Sequence, residues 1–478
     1  MKKISDILLV ELPPWDPRTP PLGIAYLATF LKSKGVNVKV FDLNIEMYNS
    51  ESDERKKGWG NEDYHWWGSD GLEERYLSMF EYFADTILSF NAETIGFSAT
   101  MPSIAFLNRL LRHLKKKAPD KTIIVGGPAT FFLDTRRQEF DTSLIDYFVV
   151  GDGEIALYEL LKALGRPSLA RRFSLSRHAS SRRWKDSIFE KVICIQTPKI
   201  QDLDSVPPPT FEEFCLSAYT EGHFTLPILF SKGCTRSCTF CSDVVLSRPY
   251  RCRKPETVIK EIGAHLKRYM DINTFRLNDL SLNANLKFLN EFCDRIIAED
   301  LRIKWYGQAQ VRPDMNDSLL AKMKKAGCWQ FSLGLETFSN NVLSLMKKGY
   351  TGEDAVRFLK RSKEAGIENN IAIIVGYPGE TEEDFNIILE SIRRNAAYID
   401  RICSLNICGM PIGSELRRYP EKYNYFFPSH GDWTSFDHTN TFAVRKKRYN
   451  EVIHCCNELN ITVDACLDLD IFEEGFKR

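Results

Sequence analysis

The chain has 478 residues, of which 43% are apolar and 27% are charged. That composition is typical of a globular protein, and at roughly 150 residues per domain the length predicts about three structural units. The 64 basic residues are balanced by 64 acidic residues, which argues against a nucleic-acid backbone as the main partner.

The chain shows no pattern for membrane insertion or export. No apolar run reaches the ~18–20 residues that a membrane span needs. The first apolar run is too short for a secretory signal and lacks a small-residue cleavage site. We therefore expect a cytoplasmic protein without a membrane span.

Residues 1–163 alternate short apolar runs with amphipathic stretches. The predicted strands are 7–12, 36–41, 94–98, 122–125 and 147–150, and the predicted helices are 23–34, 72–90 and 102–117. This alternation predicts an α/β domain with a doubly wound, Rossmann-like parallel sheet. Ligands of such sheets bind beyond the carboxyl ends of the strands.

The remainder of the chain divides into three further segments. Residues 164–222 are rich in Ser, Arg and Pro, which predicts a linker. Residues 223–410 contain six further strand–helix repeats, which predict a partial (β/α)6 TIM-like barrel, complete or open. The predicted strands are 226–231, 273–278, 303–306, 331–335, 370–375 and 402–407. Residues 411–478 have a weaker pattern and form a C-terminal extension.

The thirteen cysteines do not suggest a disulfide framework, because their number is odd and the chain lacks an export signal. Most lie alone in apolar surroundings, as Cys194 and Cys408 do, and we expect them to be small buried residues. Cys234, Cys238 and Cys241 differ because they lie within eight residues, directly after a predicted strand.

Closely spaced thiols on one loop can bind a soft-metal centre. A structural zinc site needs four ligands, and here a fourth would have to come from Cys252, Cys215 or His223. A redox pair formed by the last two thiols of the loop would leave the first thiol unexplained. Three ligands suit an iron–sulfur cluster that keeps one iron open.

The CxxxCxxC spacing, with the aromatic Phe240 before the last cysteine, closely resembles the signature of the radical S-adenosylmethionine (SAM) superfamily. The resemblance implies a 4Fe-4S cluster on Cys234, Cys238 and Cys241, whose open iron binds SAM. It also implies an enzyme that cleaves SAM to a 5'-deoxyadenosyl radical. A zinc site or a redox pair remains the alternative.

Further segments resemble the same superfamily in the same order along the chain. The resemblance implies that Asp279, after the second barrel strand, and Glu336, after the fourth, contact the cosubstrate. It also implies that Gly376 and Gly379, after the fifth strand, let the backbone approach the adenine. Without the resemblance, Glu336 is simply a carboxylate at a strand end, and Thr381 is well placed to cap the next helix.

The amino-terminal half is similar to the cobalamin-binding (B12) domains that precede some radical SAM barrels. The resemblance rests on residues 20–28, on Ser98 after the third strand, on Gly126 and Gly127 after the fourth, and on residues 151–154. It implies that Ser98 lies near the nucleotide tail of cobalamin and that the two glycines let this tail lie against the backbone. The alternative is an ordinary doubly wound domain with glycine turns.

Residues 63–68 fit the pattern DxHxxG, whose histidine coordinates cobalt in methionine-synthase-like proteins. In those proteins the motif follows the first strand, whereas here it follows the second, inside an acidic and aromatic insertion. We therefore expect that His65 does not bind cobalt.

Together, these features predict a cobalamin-dependent radical SAM methyltransferase that methylates an unactivated carbon of a small-molecule substrate. The alternatives are a related enzyme that catalyses a cyclisation or rearrangement, and a non-catalytic iron–sulfur or corrinoid sensor. The chemistry needs an external reductant such as flavodoxin or ferredoxin. Aromatic residues near the carboxy terminus fit either a hydrophobic substrate pocket or core packing. They are Tyr423, Tyr425, Phe426, Phe427, Trp433 and Phe436.

Overall fold

The structure is a computed structural model that describes residues 5–56, 59, 67, 71–165, 193–196, 198–243, 247–428 and 432–464. It contains two compact units, Met1–His223 and Phe224–Arg478. None of the described helices is both long and apolar enough to cross a membrane. His65 lies outside the described residues.

The first unit is a doubly wound α/β domain. Its strands are β1 (Ser5–Glu11), β2 (Val38–Asp42), β3 (Ala92–Ser98), β4 (Thr122–Gly126), β5 (Tyr147–Val150) and β6 (Ile193–Gln196). Its helices are α1 (Leu22–Ser33), α2 (Leu43–Ser50), α3 (Asp53–Lys56), α4 (Gly71–Ser89), α5 (Ile104–Lys117), α6 (Leu133–Arg136) and α7 (Gly153–Leu164). The sheet order is β2-β1-β3-β4-β5-β6, and all pairs are parallel. The predicted fold class is therefore confirmed for this half.

The register of this sheet brings the ends of four strands into one row. Glu11 pairs with Asp42 on one side and with Ser98 on the other, and Ser98 pairs with Gly126. We call Asp42, Glu11, Ser98 and Gly126 the strand-end row. It lies at the carboxyl edge of the sheet, where doubly wound domains bind ligands.

Part of the predicted linker is folded within the first unit. Strand β6 pairs with β5, and Phe211 and Tyr219 are buried. The prediction of a connector over the whole of 164–222 is therefore wrong for these residues. The expected burial of Cys194 is also wrong, because Cys194 is exposed on β6 while its neighbour Ile195 is buried.

The second unit is built around a parallel sheet with helices between its strands. Its strands are β7 (Thr225–Ile228), β8 (Ser231–Lys232), β9 (Arg251–Cys252), β10 (Thr274–Leu277), β11 (Lys304–Ala309), β12 (Cys328–Glu336), β13 (Glu368–Val375), β14 (Arg401–Ile407), β15 (Tyr425–Phe426), β16 (Thr434–Ser435) and β17 (Thr462–Val463). Its helices are α8 (Pro255–Arg268), α9 (Leu286–Ala298), α10 (Asp317–Lys325), α11 (Asn340–Leu345), α12 (Gly352–Glu364), α13 (Glu382–Asn395), α14 (Glu415–Arg418) and α15 (Phe442–Glu458).

The main sheet of this unit has the order β17-β14-β13-β12-β11-β10-β7. All six predicted barrel strands are present, and β17 adds a short seventh strand. Among the described strands the first and last do not pair, so the sheet is an open barrel. The functional loops follow the carboxyl ends of these strands.

Local signals in the sequence account for several element boundaries. Thr381 and Asp384 form a capping box at the start of α13, as the sequence predicted for Thr381. Gly327 and Gly366 adopt positive φ angles of +94° and +83° directly after helices α10 and α12. Glycine adopts this conformation at little steric cost, so it ends both helices.

The C-terminal extension is part of the second unit. Tyr425 and Trp433 are buried in a hydrophobic cluster with Tyr377. By contrast, Phe427 and Phe436 are 41% and 53% exposed. The aromatic set therefore divides between core and surface.

Candidate functional site

The cysteine loop (residues 233–241) begins at the end of the short strand β8. Gly233 starts it with a φ of +97°, and a Cβ there would lie 2.8 Å from the Ser247 carbonyl oxygen. Thr239 ties the loop to neighbouring segments, because its hydroxyl lies 2.7 Å from the Tyr377 hydroxyl and its amide donates to the Met346 carbonyl. These contacts fix the backbone that carries the three thiols.

Asp279 supports the segment before this loop. Its carboxylate accepts hydrogen bonds from the amide of Phe230 at 2.9 Å and from the amide and hydroxyl of Ser231. Burial raises the pKa of Asp279 to about 6, although these hydrogen bonds oppose the shift. The structure therefore shows Asp279 joining β10 to the start of the loop. Its predicted contact with the cosubstrate stays a prediction.

The three thiols have different surroundings. Cys234 accepts from the Gln310 side-chain amide at 3.3 Å and from the Arg236 amide at 3.4 Å. Burial raises the pKa of Cys238, an effect that the nearby Lys348 ammonium opposes. Cys241 lies 3.9 Å from the Asp243 carboxylate.

The donor set of the loop suits an iron–sulfur cluster. Its three thiols lie on one short loop, and cysteine thiolates are the ligands that hold such clusters. Cys238 and Cys241 line a cavity of about 390 Å³ beside the loop. The residues present therefore fit the implied cluster.

A buried ion pair lies next to the second cysteine. Lys348 is paired with Glu336 at 3.2 Å, and the two side chains are only 9% and 10% exposed. The ammonium also donates to the Gly334 carbonyl at 2.8 Å and lies 5.7 Å from the centre of the Phe240 ring. Burial alone would lower the pKa of Lys348, but Glu336, Tyr350 and Cys238 together outweigh it and the pKa is raised.

Glu336 has an unusual backbone conformation as well as a charged partner. Its φ is +71°, in the left-handed region that costs a non-glycine residue of order 1–3 kcal/mol. Strain of this kind clusters at functional sites. The position and strain of Glu336 are consistent with the predicted cosubstrate contact, which stays a prediction.

The turn after β13 is held by the C-terminal helix α15. Gly376 has a φ of +72°, and a Cβ there would lie 2.2 Å from Cγ of Arg445. Its amide donates to Glu380 at 2.8 Å, and Glu380 is paired with Arg448 at 2.8 Å. Burial raises the pKa of Glu380 to about 7, although Arg448 opposes the shift. Gly379 also has a positive φ, +88°, so both predicted glycines occupy conformations that favour glycine.

In the first unit, the strand-end row is acidic and largely buried. The Ser98 hydroxyl hydrogen-bonds Glu11, and Tyr219 donates to Asp42 at 2.6 Å. Burial raises the pKa of Glu11 well above its usual range, and Asp42 adds to the effect. Burial also raises the pKa of Asp42 to about 6.

The two predicted glycines at this edge differ. A Cβ on Gly126 would meet nothing closer than 3.7 Å, whereas on Gly127 (φ +90°) it would lie 2.7 Å from the Ala99 carbonyl oxygen. A glycine is therefore required at position 127, because the backbone of Ala99, just after strand β3, leaves no room for a side chain. Gly126 and Ser98 are half-buried, so this edge keeps a surface without bulky side chains. That surface fits the nucleotide tail that a cobalamin-binding domain holds, and the predicted contacts stay predictions.

Models of known protein families match each of the two units. The model of the B12 binding domain matches residues 16–161, and the model of the radical SAM superfamily matches residues 228–392. The chain therefore carries a B12 binding domain followed by a radical SAM domain. The corrinoid prediction therefore concerns the first unit, and the iron–sulfur prediction concerns the second, as the sequence analysis expected.

Relatives at the sequence level include two kinds of enzyme. An anaerobic magnesium-protoporphyrin IX monomethyl ester cyclase from Rubrivivax gelatinosus is 28% identical over 76% of this chain. The protein named "Uncharacterized methyltransferase PH0819" from Pyrococcus horikoshii is 25% identical over 82% of this chain and 78% of its own length. The chain spans only 60% of the length of the cyclase.

Two solved structures share the fold. The radical SAM methyltransferase TsrM from Kitasatospora setae, solved with cobalamin and a [4Fe-4S] cluster, matches 86% of this chain and 74% of its own, with a TM-score of 0.61 and 17% identity. The cobalamin-dependent radical enzyme OxsB matches 88% of this chain and 55% of its own, with a TM-score of 0.60 and 17% identity. The predicted combination of a doubly wound domain with a partial barrel is thereby confirmed.

Several residues of the site escaped the sequence analysis. Lys348 and Gln310 lie against the cysteine loop, and Tyr219 donates to the strand-end row from inside the predicted linker. None of them belongs to a recognisable local motif. The sequence shows that Lys348 follows Glu336 by twelve residues, but nothing in it indicates that this lysine is buried.

Proposed function

We propose that this protein is a cobalamin-dependent radical SAM enzyme that transfers a methyl group to an unactivated carbon of a small molecule. The observation that carries the proposal is the three-thiol loop at the carboxyl edge of an open parallel barrel, in a chain that also carries a B12 binding domain. When bound, a 4Fe-4S cluster with SAM supplies a 5'-deoxyadenosyl radical, and cobalamin supplies a methyl carrier.

The chain's own residues hold and orient these groups. Cys234, Cys238 and Cys241 would hold the cluster. Glu336, paired with Lys348, would accept hydrogen bonds from the cosubstrate. The backbone of Gly376, which is fixed by Glu380, would lie against its adenine. The enzyme's contribution is positioning, because the reactive chemistry belongs to the cofactors.

In the first unit, we propose that the strand-end row supports the cobalamin tail. Ser98 and Gly126 offer a hydroxyl and bare backbone at the half-buried edge. The raised pKa of Glu11 lowers the negative charge at this edge. Reduced charge favours the approach of a phosphate-bearing nucleotide.

A second candidate reaction is a cyclisation or rearrangement without methyl transfer. It is favoured by the similarity to magnesium-protoporphyrin IX monomethyl ester cyclases, which covers 76% of this chain. Both reactions need the same cluster and cosubstrate, so they differ in their products.

An external one-electron donor, such as flavodoxin or ferredoxin, would supply the electron. This proposal is supported by charge at the cavity beside Cys238 and Cys241, whose rim contains Arg248 and Arg418. The acidic residue at this rim, Glu415, is compensated by two lysines at 2.6 Å each. A net positive rim favours an acidic partner.

Anaerobic reconstitution tests the proposed function. The full chain would be loaded with iron, sulfide and hydroxocobalamin and then supplied with SAM and dithionite. Methyl transfer predicts 5'-deoxyadenosine together with S-adenosylhomocysteine and a methylated product, whereas the second candidate predicts 5'-deoxyadenosine without S-adenosylhomocysteine. Absence of 5'-deoxyadenosine from loaded protein would overturn both.

Two cysteine variants give this experiment a matched comparison. Cys234→Ala should lose the iron and all 5'-deoxyadenosine. Cys252→Ala removes a half-buried thiol on strand β9, which pairs with β8 just before the loop, and should keep both. Equal loss of iron in the two variants would instead indicate that Cys252 is a fourth ligand of the iron centre.

A further inference from the structure

A side-chain amide lies against the first thiol of the cysteine loop. The Nε2 group of Gln310, at the end of β11, donates to Sγ of Cys234 at 3.3 Å. The backbone amide of Arg236 donates to the same sulfur at 3.4 Å. Two N–H groups therefore converge on this one sulfur.

The orientation of the amide is fixed by its other contacts. Nε of Arg236 donates to Oε1 of Gln310 at 2.9 Å. Since a guanidinium has no acceptor, it must face the amide oxygen, which leaves the NH2 group facing the sulfur. The backbone of Gln310 is held on both sides by Asn283, with each bond 2.9 Å long.

Arg236 is itself held in place. Its Nη1 atom lies 2.5 Å from the position that a Cβ on Gly349 would occupy, and Gly349 has a φ of +71°. The absent side chain at Gly349 makes room for the guanidinium. The pair formed by Arg236 and Gln310 is therefore built into the fold beside the thiol.

The three thiols do not share this environment. Cys241 lies 3.9 Å from the carboxylate of Asp243, which disfavours added negative charge on its sulfur. Hydrogen bonds to ligand sulfurs are among the factors that set the reduction potential of an iron–sulfur cluster. Cys234 thus accepts a side-chain hydrogen bond from Gln310, whereas Cys238 lies near the Lys348 ammonium.

We propose that Gln310, oriented by Arg236, is a positioning residue that raises the reduction potential of the cluster through its hydrogen bond to Cys234. The inference rests on the proposed function, because it requires a cluster on this thiol. One-electron reduction adds negative charge, part of which falls on the ligand sulfurs. An N–H donor stabilises the reduced form more than the oxidised form, so an external donor reduces the cluster more readily.

The test is a redox titration of the loaded full chain, followed by electron paramagnetic resonance of the reduced cluster. In Gln310→Leu the N–H donor is lost, and we expect the ratio of reduced to oxidised cluster at a fixed potential to fall about tenfold, which corresponds to about 59 mV for a one-electron couple. Gln310→Glu should lower the potential further, because a carboxylate then faces the sulfur while still accepting from Arg236.

The control is Gln138→Leu, the same substitution at an exposed amide of the first unit that donates to the Thr135 carbonyl; its potential should equal that of the parent. Unchanged potentials in both Gln310 variants would overturn the inference, even if their iron content fell. If Gln310→Leu does not fold, Gln310→Glu decides alone. A parent protein that takes up no cluster would overturn the proposed function as well. If the parent takes up the cluster and both Gln310 variants keep its reduction potential, only this inference is overturned.

Discussion

Replacing Lys348 by Met tests the buried positive charge beside the cysteine loop. The substitution keeps the length of the side chain and removes its ammonium group. Glu336 would then be left as a buried carboxylate without its cation, and the Gly334 carbonyl would lose a donor at 2.8 Å.

The expected loss of stability follows from the burial of this pair. Both side chains are at most 10% exposed, so solvent screens the interaction little. Removing one partner of a buried pair costs about 3–5 kcal/mol, and an unsatisfied carbonyl costs about 1 kcal/mol more. We expect the free energy of unfolding of the second unit to fall by about 5 kcal/mol.

Urea unfolding of the full chain, followed by alkylation of Cys328, measures this change. Cys328 is fully buried in β12, so its labelling reports unfolding of the second unit. Lys347→Met is the matched control, because Lys347 is 48% exposed and paired with Glu415; its loss should stay below about 1 kcal/mol.

The double variant Glu336→Gln/Lys348→Met completes the comparison. Because it removes both charges, it should recover part of the stability that the single Lys348 variant loses. If Lys348→Met unfolded at the same urea concentration as Lys347→Met, the buried pair would not have the role assigned to it.

Three further outcomes are expected. The pKa of Asp42 is raised in the folded state from 3.8 to about 6, so the parent should lose stability as the pH rises from about 4 to about 6, by up to about 3 kcal/mol at 1.36 kcal/mol per pKa unit. Asp42→Asn should reduce the slope in urea unfolding by this contribution, while other carboxyls with raised pKa values, such as Glu11 and Asp279, keep theirs; an unchanged slope would contradict the assignment. Gly127→Ala should destabilise the first unit by roughly 2 kcal/mol or more because of its positive φ, whereas Gly126→Ala should leave the melting temperature nearly unchanged; equal effects would refute the steric argument. Arg418→Glu should slow reduction of the cluster by reduced flavodoxin at low salt but not by dithionite. Arg394→Glu, at an exposed helix position, should slow neither reaction. If flavodoxin reduced the Arg418→Glu variant as fast as the parent, this surface would be excluded as the docking site of the electron donor.

The sequence predicted those features that are local. Three cysteines within eight residues define their loop by spacing alone, and alternating apolar runs predicted all six main strands of the second unit. Strand β6 was missed because it has only four residues, of which Cys194 and Gln196 face solvent. A strand so short in a polar region carries little periodic signal.

The missed parts of the site depend on contacts between distant positions. Gln310 and Cys234 are 76 residues apart, and no local pattern relates them. Lysine is rarely buried, so the sequence alone would have assigned Lys348 to the surface. Asp279 was predicted from the family resemblance of the segment after the second barrel strand, but its hydrogen bonds to Ser231 depend on contacts between distant segments.

The packing of Arg445 against Gly376 restricts how the carboxy-terminal helix can be exchanged among relatives. The guanidinium stacks 3.9 Å from the Trp433 ring and pairs with Asp432 at 2.9 Å, while Asn440 donates to the Gly376 carbonyl at 3.1 Å. A chimaera that took this helix from a homologue would keep the turn intact only if the donor supplied a compatible arginine and the recipient kept its glycine. The two segments therefore depend on each other structurally, although about seventy residues of sequence separate Gly376 from Arg445.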